Sequence, residues 1–229
     1  MLIDLRKKSR ATYQKQQHTI AALKMQTIRT RLSPHFMFNA LSILSGSAID
    51  PQTISQNIKT LLMLLRRSVD NIEQPAIPLS EELEVVKGYI GLQRLRIPDP
   101  FKINLDVAQN TDMNQLIPAM IIQIPVENAI KHGLMPVTGE KSLAISIHSY
   151  YGGLQIMVED NGTGYGSSPN RSMGAGTGLK ILYQTISLLN SKNDNKILFK
   201  ITDLKDADQS RQGTNVEIRI PAGFSYDIS

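Results

Sequence analysis

The stretch "SLAISIHSYYGGLQIMVEDNGTGYG", Ser142 to Gly166, decides the fold. Apolar and polar residues alternate on both sides of Gly152-Gly153, the period-two signature of strands with one buried face. The two glycines are expected to supply the positive φ of a tight hairpin. A hairpin with one apolar face needs helices to cover it, which predicts an α+β sandwich. Leu154, Ile156, Val158 and Asp160 share one side of the second strand. Asp160 thus ends an inward-facing row, where a carboxylate is costly without a partner. An adenine amino group would suit it, with Gly162 and Gly164 letting the backbone turn tightly beneath a planar base. A capped turn around a buried carboxylate is the competing reading of this stretch taken alone.

Outward from the hairpin, "FKINLDV" (Phe101–Val107), "ILFKI" and "TNVEIRI" read as further strands. Ser80 is expected to cap a helix reaching about Arg96, with Glu81 and Glu82 favourable in its first turn. A second helix is expected over Pro118–His132, bent at Pro125. A third covers Thr177–Asn190, with Leu179, Leu182, Ile186 and Leu189 on one face. Nearer the start, residues 12–32 read as helix. After Asp50-Pro51, Ile54, Ile58, Leu61, Leu62, Leu65 and Val69 recur at three- and four-residue steps. Such a helical hairpin buries too little alone, and a dimeric four-helix bundle is the simplest partner for its apolar stripes. "NIEQPAIPLS" (Asn71–Ser80) has two prolines and no periodicity. It divides a helical hairpin, residues 1–73, from a mixed domain, residues 76–224.

Two more stretches carry chemistry. "VENAIKHG" (Val126–Gly133) closes the second helix, with Asn128 and Lys131 three residues apart on one face. An amide oxygen can ligate Mg²⁺ and an ammonium can balance phosphate charge; an ordinary solvated helix end is the alternative. "GAGTGLKIL" (Gly174–Leu182) runs three alternate glycines into a helix N-terminus, whose bare N–H groups suit phosphate. The preceding "SSPNRSM" reads as a lid. This is no dinucleotide fingerprint, because Leu179 stands where the third glycine would be, and no Walker A loop, because the Lys-Ser/Thr pair is missing.

Composition narrows the classes further. With no cysteine, disulfides, thiolate metal sites and cysteine nucleophiles are excluded. The longest apolar run, Leu116–Val126, is interrupted by Gln123 and two prolines and is too short to span a bilayer. No signal-peptide pattern is seen at the start. Eight of the first 31 residues are Lys or Arg against Asp4 alone, a net +7, leaving −2 on the other 198. The basic arm suits an anionic membrane face or simple solvation, and the near-neutral body argues against nucleic acid as the main partner.

Taken in order, "VENAIKHG", "VEDNGTGYG", "GAGTGLKIL" and a closing "GTNVEIRIP" resemble the N, G1 and G2 boxes of the GHKL (Bergerat-fold) ATPases. With "SPHFMFNAL" upstream and "IPLSEELEVVKGYIGLQRLR" between, the chain is most similar to the LytS-type sensor histidine kinases of two-component systems. The resemblance covers roughly residues 30–222. It implies a GHKL-type α/β sandwich behind a dimerisation hairpin, with ATP and Mg²⁺ as cofactors. It implies that Asn128 chelates Mg²⁺ with Glu127 in support, that Lys131 and His132 contact phosphate, and that Asp160 binds the adenine amino group. Gly162 and Gly164 would shape the base pocket, Gly174, Gly176 and Gly178 would end the phosphate lid, and Thr214 would lie near the base.

His35 is the phosphoacceptor in this reading. A neutral imidazole is a good nucleophile near pH 7. Without the downstream motifs it would read as a packed or solvated histidine. The family implies later transfer to an aspartate of a response regulator, a homodimer, and a cytoplasmic kinase portion attached to the inner membrane in a longer receptor. Two departures stand out. Many sensor kinases carry an acid directly after the histidine, where this chain has Phe36, so Asn39 is the nearest polar neighbour. Many also carry an additional asparagine where this chain has Ile124. An ATPase, or a nucleotide-binding dimeric scaffold without histidine phosphorylation, is the alternative function.

Overall fold

The structure, a computed structural model, describes residues 74–94, 97, 100–165 and 177–227. His35, Asn39, Gly174, Gly176 and the expected helical hairpin lie outside the described residues. What is described is an α+β sandwich, as expected. A five-stranded sheet has the order β2-β4-β5-β7-β6: β2 (Phe101–Val107), β4 (Lys141–Tyr150), β5 (Gly153–Asp160), β7 (Thr214–Ile220) and β6 (Leu198–Asp203). All neighbours are antiparallel except β2 and β4, which run parallel. Helices α1 (Leu79–Arg94), α2 (Gln123–Asn128) and α3 (Thr177–Ser191) pack on one face. A short α4 (Leu204–Ala207) follows β6.

The core follows from the alternation. Leu143, Ile145 and Ile147 of β4, Leu154, Ile156 and Val158 of β5, and Val216, Ile218 and Ile220 of β7 are all buried in one cluster. From α1 come Leu83, Val86 and Ile90, at three- and four-residue steps; from α3 come the four residues expected, Leu179, Leu182, Ile186 and Leu189. The opposite sheet face is polar. There Gln155 donates to Glu217 at 2.7 Å, and Arg219 lies 4.9 Å over the Tyr150 ring.

Four expectations need correction. The hairpin turns through Tyr151 and Gly152, with φ of 48° and 75°, the positive pair that primed turns require. Gly153 is already in β5, and its reason is room: an added Cβ would lie 2.1 Å from the Ile220 carbonyl oxygen. The first helix starts at Leu79, so Ser80 is inside it and not its cap. The second helix starts at Gln123 and not at Pro118, which belongs to the three-residue strand β3 (Leu116–Pro118). Pro125 therefore falls in the first turn of α2, where its missing N–H does no harm and forces no bend. Finally, the proline-rich boundary stretch contains β1 (Ala76–Pro78), paired antiparallel to β3. Past residue 224 the chain still contributes: Tyr226 packs on the core, and its hydroxyl donates to the Leu116 carbonyl at 2.7 Å.

Candidate nucleotide site

The site forms where β5 ends. Asp160 is only 4% exposed and closes the inward row Leu154, Ile156, Val158. It stands level with Thr214 at the start of β7, and Thr214 in turn with Asp203 at the end of β6. Asp160 Oδ1 accepts from Gly162 N at 2.8 Å. Burial pushes its carboxyl up to about 6, against which the Gly162 and Thr214 backbone N–H groups act only partly. The residue is thus a desolvated carboxylate with two backbone N–H partners, Gly162 in its own turn and Thr214 on β7, which matches the capped-turn reading of this stretch.

Glycines make the surroundings close. Gly162 abuts Gly133 so tightly that an added Cβ would stand 2.3 Å from the Gly133 carbonyl carbon. A Cβ on Gly133 would stand 2.8 Å from Asp160 Oδ1. Gly213, at φ 122°, passes over the same strand end, its Cβ position 1.8 Å from the Asp160 carbonyl oxygen. Gly164, at φ 85°, turns the loop past the Asp203 carboxylate. Thr163 clips the loop to the helix, its N–H donating to Gly133 O at 3.1 Å and its hydroxyl to His132 O at 3.3 Å. We expect Gly162→Ala to destabilise the fold by roughly 3 kcal/mol, because the collision is with backbone that cannot rotate away. Chemical denaturation measures it, and an unchanged midpoint would contradict this packing.

The first motif approaches from α2. After Asn128 the helix widens into a π-helical segment, Ala129–Leu134, which brings Gly133 against the loop. Single π turns of this kind recur at functional sites. Glu127 accepts from Gln123 Nε2 at 2.7 Å, and burial holds its carboxyl above the usual range. The Asn128 amide nitrogen is buried without a hydrogen-bond partner, an exception that calls for an explanation. Lys131 and His132 are exposed in this π-helical segment. Partial burial, then the Lys131 charge, lowers the His132 pKa from its ordinary value, favouring the neutral imidazole. The third motif meets the first at Gly178, whose Cβ position is 3.5 Å from Ile124 Cγ2. Ile124, where an asparagine was noted as missing, is a buried apolar seat for the start of α3.

These contacts join Asp160, Gly162, Gly164, Thr214, Gly133 and Gly178 with the helix that bears Glu127 and Asn128. Gly133 and Gly213 were present in the quoted motifs but carry no sequence signal that separates close approach from a turn. The orphaned atom of Asn128 is its amide nitrogen, a donor that suits an anionic oxygen such as that of a phosphate. Among the described residues no group of three or more His, Asp or Glu gathers to hold a metal. A separate open cleft of about 300 Å³, lined by Asn110, Thr111, Gln115 and Gly153, lies at the other end of β5.

Comparison with known proteins finds similarity to histidine kinases. Residues 23–101 match the family model described as "Histidine kinase". The chain is 33% identical over 147 residues to the sensor histidine kinase YpdA of Escherichia coli, covering 64% of this chain and 25% of that protein. It is 32% identical over 142 residues to the sensor protein LytS of Staphylococcus saprophyticus, covering 62% and 24%. With the LytS of Staphylococcus epidermidis the identity is 28% over 199 residues, covering 86% and 34%. The chain thus spans about a quarter to a third of the length of these relatives. Among solved structures, the histidine kinase domain of an Erythrobacter litoralis blue-light activated kinase aligns at a TM-score of 0.47 and 17% identity, covering 88% of this chain and 93% of that one. Among the described residues no helix is long and apolar enough to cross a membrane.

Proposed function

The chain is a relative of the LytS-type sensor histidine kinases, and on that premise we propose that it binds ATP at the end of β5 and transfers the γ-phosphoryl group to His35. The single observation that carries the pocket is Asp160, a nearly fully buried carboxylate at the end of β5 with glycine backbone packed closely around it. Its free acceptor positions suit the adenine amino group. Gly162 and Gly164 would let the base lie against backbone, with Thr214 beside it at the head of β7. The Asn128 side chain would offer its oxygen to Mg²⁺ and its unpartnered nitrogen to a phosphate oxygen, with Glu127 in support. When bound, the ion supplies electrostatic screening of the triphosphate. Lys131 adds a mobile positive charge, and neutral His132 can donate a hydrogen bond. Gly174, Gly176 and Gly178 would let backbone N–H groups at the start of α3 approach the phosphates.

In the transfer itself, a ring nitrogen of His35 attacks the γ-phosphorus in line as the bond to the bridging oxygen breaks and ADP leaves. The chain's task is positioning and charge stabilisation, with Asn39 orienting the ring. That the family match spans residues 23–101 supports His35 as the acceptor, because "RLSPHFMFNAL" lies within it. Residues 1–73 would form the dimerisation hairpin and residues 76–224 the ATP-binding domain. A response-regulator aspartate would take the phosphoryl group onward. The basic arm would lie at the cytoplasmic membrane surface, next to receptor segments of a longer protein.

Incubation with γ-labelled ATP and Mg²⁺ tests the activity. Label should appear on the protein, stable to base and lost in acid. Continuous phosphate release with no label on the protein would point to an ATPase instead.

A further inference from the structure

Helix α2 opens without a cap of its own. Ile122 occupies the N-cap position and makes no side-chain hydrogen bond. An aliphatic residue there leaves the first N–H groups without acceptors. The acceptor comes from α1. Glu82 Oε1 accepts from Ile122 N at 3.1 Å and from Gln123 N at 3.0 Å, and Oε2 accepts from Met120 N at 3.0 Å. Glu82 is 1% exposed, and three N–H groups are what allow a carboxylate to be so deeply buried.

The bend it holds is strained. Met120 is buried with φ at 68°, a left-handed conformation that a side-chain-bearing residue keeps only when its surroundings fix it. This bend turns β3 into α2. The helix is six residues long, and Glu127 and Asn128 are its last two. Gln123 bridges its ends directly: its N–H goes to Glu82, and its side chain goes to Glu127. Any rotation at Met120 therefore swings the Asn128 amide, which lies less than two turns into the helix.

We propose that Glu82 is a positioning residue for the nucleotide site: from α1 it fixes the direction of α2 and so sets Glu127 and Asn128 against the triphosphate. The inference rests on the nucleotide reading above and extends it to a residue outside the N, G1 and G2 boxes.

The test uses the full chain, with calorimetric binding of Mg-ATP well below the melting temperature and hydrogen exchange of the Met120, Ile122 and Gln123 amides. Glu82→Ala should speed exchange at all three and weaken Mg-ATP binding about 10- to 100-fold. Glu82→Gln keeps one acceptor oxygen for Ile122 and Gln123, so it should stay within about threefold of wild type while Met120 alone exchanges faster. Should the alanine variant not fold, Glu82→Asp, one methylene too short to span the three N–H groups, decides in the same way. Faster exchange in the alanine or aspartate variant together with wild-type affinity would overturn the inference, since a merely structural carboxylate gives that pattern. A wild-type chain that does not bind ATP would instead sink the nucleotide reading itself.

Discussion

Asp160→Asn is expected to weaken ATP binding about 100-fold while leaving the protein at least as stable as wild type at neutral pH. The two effects share one cause. Burial has raised the Asp160 carboxyl from 3.8 to about 6, so the ionised form is disfavoured in the folded protein. A folded pKa above the unfolded one means that the folded state holds its proton longer. The stability linked to this group is complete below about 3.8 and is lost as pH rises through about 6. That loss is on the order of 3 kcal/mol. An asparagine can still accept from Gly162 N, and it does not place a charge in the core. The amide also carries an NH₂ that opposes the adenine amino group, and it lacks the charge that strengthens the contact. Binding to the wild-type protein should show the opposite pH dependence to the stability, weakening as pH falls below about 6. Calorimetric titration and chemical denaturation at several pH values measure both. If the variant binds ATP like wild type, Asp160 does not read the base.

His35→Ala is expected to take up no acid-labile label from γ-labelled ATP while binding ATP with unchanged affinity. Removal of the nucleophile should stop the transfer, because the proposed reaction has His35 as its acceptor. Binding is expected to survive because the proposed nucleotide contacts lie among described residues at the end of β5, between positions 124 and 214. Wild-type and variant chains are compared in a single turnover, followed by acid and base treatment. Label retained in the variant would move the acceptor to another residue. Lost binding would mean that the segment around His35 helps to form the pocket.

Much of this arrangement was legible because it rests on local pattern. Period-two alternation gave β4 and β5, and it gave the inward direction of Asp160 from the strand alone. The spacing of Leu179, Leu182, Ile186 and Leu189 gave the buried face of α3. What escaped depends on contacts between distant segments. Glu82 looks like a favourable acid in the first turn of its own helix, and nothing near it signals that its carboxylate caps another helix from across the core. Gly133 and Gly213 resemble any turn glycine until the backbone pressed against them is known. The three-residue strands β1 and β3 are too short for a period to emerge. Pro118 and Pro125 both permit a helix start, and the choice between them was made by the pairing of Pro118 with Ala76.

The central claim is that the buried carboxylate at the end of β5 recognises adenine, and titration of the wild-type chain with Mg-ATP and Mg-GTP near neutral pH tests it most directly. Guanine presents a carbonyl oxygen where adenine presents its amino group, so Asp160 should repel it. Saturable ATP binding, with GTP weaker by about 100-fold or more, is the expected result. Equal affinity for the two nucleotides, or no binding of either, would contradict it.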